Sequence, residues 1–281
     1  MTTRQSNIIV LIIFGGFILY RTIFPPDSDD SFSQTFFNIS IEIVGGILLF
    51  GILQFLQNIN RFWFYIQTQF LLRKIDVRLS IAYLFRININ GKFLLVKSRR
   101  RDYYQPVGGA FKTLPGADKV FEKLGVKPDK LVETEHGIAK SDLRVYVKGV
   151  HIIEFLEWFK SKEDREISPW REFCEELIST DILPWKPFRY IDYKFKGTVQ
   201  SPIINMDSGG KGLFLFEVYD LVVNDEQKPV LEELQKRGNT AEYVWVDDYL
   251  IQRLGHDERT KDQLFEIAPH TKYAQNLSWN K

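Results

Sequence analysis

Arg171-Glu172-Phe173-Cys174-Glu175-Glu176-Leu177 is the stretch whose residue types and spacing can do chemistry. Read as a helix, it places Glu172, Glu175 and Glu176 at i, i+3 and i+4, on one face. Phe173 and Leu177 then point elsewhere and pack inward. Three carboxylates on one face repel one another. They are tolerated if solvated, if paired with cations, or if they hold a hard divalent ion such as Mg²⁺, which takes oxygen ligands. Arg171 is an obvious partner for the second case. On these residues alone, an acidic cation-paired face and a metal or phosphate site both stay open.

A second group has the chemistry of phosphate and base recognition. Lys97, Arg99, Arg100, Arg101, Tyr103 and Tyr104 precede Pro106-Val107-Gly108-Gly109, a flexible turn. Basic side chains answer phosphates, and aromatic faces answer bases. The plain alternative is a solvated hairpin end, or contact with anionic lipid headgroups. Lys211 with Gly209 and Gly210 forms a weaker candidate cradle, since Gly-rich strand connectors are common. His136, His151, His256 and His270 show no spacing for zinc. Cys174, the sole cysteine, reads as a packed core residue and excludes an internal disulfide.

Elements must position these groups. Leu79, Ile81, Tyr83, Phe85 and Ile87 alternate at strand spacing within Arg78–Ile89. Asn90-Gly91 predicts a hairpin, with Lys92–Ser98 as the returning strand. Further strands are predicted at Leu143–Val150, Phe188–Val199, Gly212–Val223 and Ala241–Trp245. Helices are predicted at Asp118–Leu124, His151–Lys162 and Asp247–Arg253, with helical character at Lys261–Ile267. Ser168 and Pro169 suit the start of the glutamate helix, and Pro184 and Pro187 mark its exit.

The N-terminal region has a different character. Ile8–Phe24 and Ile39–Leu56 are apolar runs close to the roughly 20 residues a spanning helix needs. The expectation is a two-helix transmembrane hairpin over 1–60, with spans at about 8–24 and 39–57. A juxtamembrane linker is then expected over 61–77. The intervening Pro25–Thr35 carries Asp27, Asp29 and Asp30 but no Lys or Arg. Arg4, Arg61, Arg73, Lys74 and Arg78 lie on the other side, so both termini are expected to be cytoplasmic. Arg21 and Glu42 are the ionisable groups inside the spans. They either reach the headgroups or act together, as a pair or as a ring of Glu42 in an oligomer. The net charge of +1 gives no bulk electrostatic case for nucleic acid as the main partner.

A strand hairpin, a Pro-x-Gly-Gly turn, a helix reading Arg-Glu-x-x-Glu-Glu and then more strands resemble a Nudix domain. Arg171, Glu172, Glu175 and Glu176 match the second half of that family's box, and Glu163 stands at the box distance before Arg171. Pro106, Gly108 and Gly109 match the preceding turn. The box is degenerate: 112–160 is inserted, Ile178 replaces the closing glycine, and Glu157 stands where the first glycine belongs. The resemblance implies an α+β chain whose domain, 78–254, is a Nudix-like α/β/α sandwich with a mixed sheet, followed by a tail over 255–281. It also implies Mg²⁺ on Glu172, Glu175 and Glu176, with Glu175 and Glu176 catalytic if the protein is a hydrolase.

The whole arrangement is similar to the two-transmembrane NUDIX effectors of CBASS, the bacterial cyclic-oligonucleotide antiphage systems. That similarity implies a protein of the inner membrane with its domain in the cytoplasm. Arg99, Arg100, Arg101, Tyr104, Gly108 and Gly109 would bind a cyclic or other nucleotide. The hairpins would assemble into homo-oligomers and breach the bilayer, killing the infected cell. The alternative it leaves is a membrane-tethered, Mg²⁺-dependent Nudix hydrolase of a nucleotide or dinucleotide.

Overall fold

The computed structural model describes residues 13–16, 18–23, 31–131 and 141–279. Two compact units divide the chain, 1–66 and 67–281.

In the first unit, α1 runs unbroken over Ser31–Ile66. Its apolar stretch Gln34–Leu56 is 23 residues long, with a mean hydropathy of 2.1. Among the described residues this is the one helix long and apolar enough to cross a membrane. The first expected span, 8–24, falls partly outside the described residues; what is described there belongs to a shorter apolar helix, Ile13–Ile23. Arg21 sits over the Phe37 ring, 5.8 Å from its centroid, and Glu42 is exposed on α1. The helix also takes in residues 31–35, expected in the loop, and residues 61–66, expected in the linker.

In the second unit, a π-helical turn Gln67–Leu71 leads to β1 (Asp76–Arg86). Val77, Leu79, Ile81, Tyr83 and Phe85 are all buried on one face of β1, as the alternation requires. Then follow β2 (Asn88–Ile89), β3 (Lys92–Lys97), β4 (Tyr104–Gln105), β5 (Val107–Ala110) and α2 (Ala117–Leu124). The Asn90-Gly91 turn joins β2 to β3, both residues at positive φ. Next come β6 (Lys127–Pro128), β7 (Arg144–Lys148) and α3 (Ile152–Ser161). The glutamate helix α4 (Trp170–Phe173) continues as a π-helical turn, Cys174–Ile178. The remainder is α5 (Trp185–Phe188), β8 (Asp192–Gln200), β9 (Ile204–Asn205), β10 (Lys211–Val222), α6 (Gln227–Arg237), β11 (Tyr243–Val246), α7 (Asp248–Gln252), β12 (His256–Asp257), β13 (Asp262–Gln263) and α8 (Pro269–Asn276).

The main sheet is mixed, in the order β6-β7-β1-β10-β8, with β5 also on β1 and β9 on β10. β1 and β10 are parallel, and the other pairings are antiparallel. α3 and α4 cover one face through the ring contacts Phe111–Phe159 and Phe85–Phe173. α8 covers the other, its Ala274 packed with Leu84, Val199, Phe216 and Val218. This is the expected α/β fold with a mixed sheet.

The segment 112–160 builds one end of the sheet: β7 lies between β6 and β1. Arg78 on β1 fixes it through a bidentate, buried pair with Asp129, at 3.0 and 2.6 Å. The region 255–281 likewise belongs to the packed unit. The helix expected at Lys261–Ile267 is instead the β12–β13 hairpin, and the helix comes later, at α8. Residues 132–140, and with them His136, lie outside the described residues.

Candidate functional site

The site forms where α4 lies against β5 and β1. Phe173 and Leu177 are fully buried and anchor the helix. Ser168 accepts the N–H of Trp170 at its start. The change to a π-helical turn after Phe173 fits the tendency of such turns to mark functional sites.

Arg171 is the hub. Its Nη1 donates to Glu172 Oε1 at 2.6 Å and to Glu175 Oε1 at 3.3 Å. Its Nε and Nη2 donate to the two oxygens of Glu166 at 3.1 and 3.2 Å, and Nη2 also donates to the Ala110 carbonyl at 2.9 Å. Burial works against the Arg171 charge. Even so, Glu166 and Glu172 hold its pKa well above the ordinary arginine value. Burial pushes Glu172 up, while Arg171 pulls it back. The Glu172 N–H donates to the Tyr83 hydroxyl at 3.3 Å.

The Gly108-Gly109 turn meets the helix directly. Gly108 N–H donates to Glu176 Oε2 at 2.8 Å. A Cβ at Gly109 would stand 2.1 Å from Glu172 Oε1, so only glycine allows that approach. Desolvation raises the Glu176 pKa to about 8, against the Gly108 hydrogen bond and with help from Glu172.

The folded protein therefore keeps a proton on Glu176 that the unfolded chain releases near 4.5. The resulting stabilisation is complete below about pH 4.5 and is lost as pH rises through about 8. Melting temperatures across that window should reveal a loss of about 2–3 kcal/mol, allowing for the part of the side chain that water reaches. Glu176→Gln, which keeps the acceptor and cannot ionise, should flatten that slope.

The other candidates divide. Arg99 reaches the helix: its Nη2 donates to the Glu175 carbonyl at 2.6 Å, with Nη1 4.0 Å from Glu175 Oε2. Arg100 and Arg101 are exposed in the same loop. Tyr104 is committed elsewhere: its hydroxyl lies 3.2 Å from the Thr240 and Ala241 carbonyls, and its ring lies beneath Lys97. Lys211 bonds Asn205 across the β9–β10 turn.

Glu163, the residue at the box distance, is exposed. Glu166 takes the place beside Arg171, because 112–160 reroutes the chain that enters α4: Glu166 accepts the Lys112 N–H and donates its own N–H to the Lys112 carbonyl. Neither Glu166 nor Tyr83 was singled out by spacing. The one available signal for Tyr83 was a polar tip within the buried alternation of β1.

As arranged, the donor set does not fit a divalent ion. Glu172 is spent on Arg171, Glu176 accepts the Gly108 N–H, and Glu175 lies between Arg171 and Arg99. Among the described residues, no group of three His, Cys, Asp or Glu side chains is gathered to hold a metal. The expected Mg²⁺ site on Glu172, Glu175 and Glu176 is therefore not preformed. The arrangement instead offers a partly buried wall of one arginine, a neutral acid and backbone amides, edged by the exposed cations Arg99–Arg101.

No curated protein matches the chain. Solved structures that resemble it include a NUDIX hydrolase from Nitrosomonas europaea, at 12% identity and a TM-score of 0.26, covering 70% of this chain and 86% of that one. A Nudix hydrolase from M. smegmatis resembles it at 11% identity and a TM-score of 0.27, covering 72% of this chain and 83% of that one. The family model described as the SMODS-associated NUDIX domain matches residues 76–275, from the first residue of β1 into α8. The chain belongs to the SMODS-associated NUDIX domain family.

Proposed function

We propose that the protein is a membrane-anchored effector of a cyclic-oligonucleotide antiphage system. In this reading the Nudix-like domain senses a nucleotide, and the N-terminal helices answer by disrupting the bilayer. The observation that carries the sensing half is the commitment of Glu172, Glu175 and Glu176 to protein donors, with Arg99 bridging to the helix. Such a wall favours binding over turnover, because a nucleotide phosphate can claim Arg99–Arg101 without displacing a metal. The apolar helix Gln34–Leu56 supports the membrane half, and the family's association with SMODS proteins supports the signalling half. One pair of spanning helices encloses no pore, so the response requires homo-oligomers. Two spans, with both termini in the cytoplasm, follow from the apolar runs and the Lys and Arg distribution.

The retained Arg171-Glu172-x-x-Glu175-Glu176 pattern favours a second reading, a tethered Mg²⁺-dependent hydrolase. Proteoliposomes holding the full chain, challenged with a panel of cyclic oligonucleotides, separate the two. Dye release with at least one of them is expected, and should vanish when residues 1–58 are deleted. No release with any, alongside Mg²⁺-dependent nucleotide turnover, overturns the effector reading.

A further inference from the structure

Between Trp185 and Gly197 the sequence sets four cations, Lys186, Arg189, Lys194 and Lys196, against one acid, Asp192, in a chain whose net charge is only +1; Lys196 pairs with Asp220 at 3.5 Å, while Lys186, Arg189 and Lys194 are exposed. The same segment exposes four aromatic rings: Trp185 at 57%, Tyr190 at 78%, Tyr193 at 37% and Phe195 at 52%. Those rings are held from behind. Trp185 rests on Trp170, and Tyr193 and Phe195 both rest on Tyr219, with centroids 6.4, 5.5 and 5.6 Å apart. Arg189 lies over Tyr190 at 5.5 Å. β8 ends the sheet order, so its outer edge has no strand beside it among the described residues.

A long edge strand flanked by exposed rings is a liability unless something covers it. We propose that this surface, α5 and β8 from Trp185 to Gly197, rests on an anionic bilayer. Tyr and Trp suit a boundary that is apolar at one end and wet at the other. Each Lys or Arg near an anionic leaflet strengthens attachment roughly fivefold.

The inference rests on reading α1 as a membrane anchor. Given that anchor, only Gln67–Ile75 separates α1 from β1, and so short a tether keeps the domain at high effective concentration near the bilayer. A second copy adding strand to strand is disfavoured by Lys194 and Lys196, since lysines on an edge are a common guard against such pairing. A nucleotide is disfavoured because rings this exposed flank an edge and do not close over a base.

Hydrogen exchange of 185–197 tests this on the full chain, reconstituted in phosphatidylglycerol-containing bilayers, in pure phosphatidylcholine bilayers, and in detergent. Exchange roughly tenfold slower in the anionic bilayer is expected. High salt should reverse it, and so should the triple variant Lys186→Gln, Arg189→Gln, Lys194→Gln, whose side chains are exposed and leave the fold intact. Equal exchange in the two bilayers overturns the inference. So does protection in detergent on adding a cyclic dinucleotide, or protection that grows with protein density. Release of the chain by alkaline carbonate would overturn the anchor and this inference together; retention without protection overturns this inference alone.

Discussion

Replacing Arg171 with alanine should cost about 2–3 kcal/mol of stability, below the range for breaking a fully buried pair because water reaches part of the network. The side chain is 24% exposed, and Glu166 and Glu172, which face it, are 15% and 14% exposed. Without the guanidinium, two partly buried carboxylates lose their cation, the Ala110 carbonyl loses a donor, and Glu175 loses its closest cation. Arg171→Lys should recover only part of the loss, because an ammonium cannot serve Glu166 with two N–H groups and Glu172 with a third. Urea unfolding of the detergent-solubilised full chain measures both. An Arg171→Ala loss under 1 kcal/mol would show the network to be screened by water and of little structural weight.

The second large effect is expected at Gly108. A Cβ there would lie 2.1 Å from the Tyr83 carbonyl oxygen, a backbone atom at the centre of the sheet, and φ is +154°. Gly108→Ala must therefore push β5 away from β1, costing about 3 kcal/mol or more. The displacement also withdraws the N–H from Glu176. Melting by circular dichroism reports the first effect. A steeper pH slope at Glu176 reports the second, because the Gly108 N–H lowers that pKa against desolvation, and a folded variant with an unchanged slope would separate the turn from the glutamate. Gly109→Ala should be milder, since the obstacle there is the movable Glu172 carboxylate.

These effects show where sequence reading reached and where it stopped. Asn90-Gly91, the alternation of β1 and the glutamate helix were legible because each is written in local residues. The Gly108-Gly109 turn was legible as a partner for the helix, and the structure puts Gly108 on Glu176 and Gly109 against Glu172. Glu166 was not legible, because its role depends on a path set by 112–160. The same holds for Arg78 and Asp129, which look like ordinary surface charges until β7 brings them together. The protonation of Glu176 was hidden for a related reason: composition records an acid, and only burial decides whether it carries charge. Nor were the contacts of Tyr104 legible: its hydroxyl meets the Thr240 and Ala241 carbonyls, far along the chain.

The parallel pairing of β1 with β10 governs how the molecule can be made. Arg86 and Asp220, bonded across that pair, stand 134 residues apart. β1 is synthesised before β5, β7 and β10, the strands that flank it, and must wait for the last of them. Long-range pairing of this kind makes folding slow, since the closure entropy falls due before any contact rewards it. The apolar helix emerges first and needs no distant partner. Under the membrane anchoring proposed above, its insertion would precede closure of the domain, and the nascent chain would pass through a stage in which the apolar face of β1, buried in the finished protein, is exposed. Chaperone dependence and aggregation on overexpression are the expected signs of that interval, and truncations that remove β10 should worsen both.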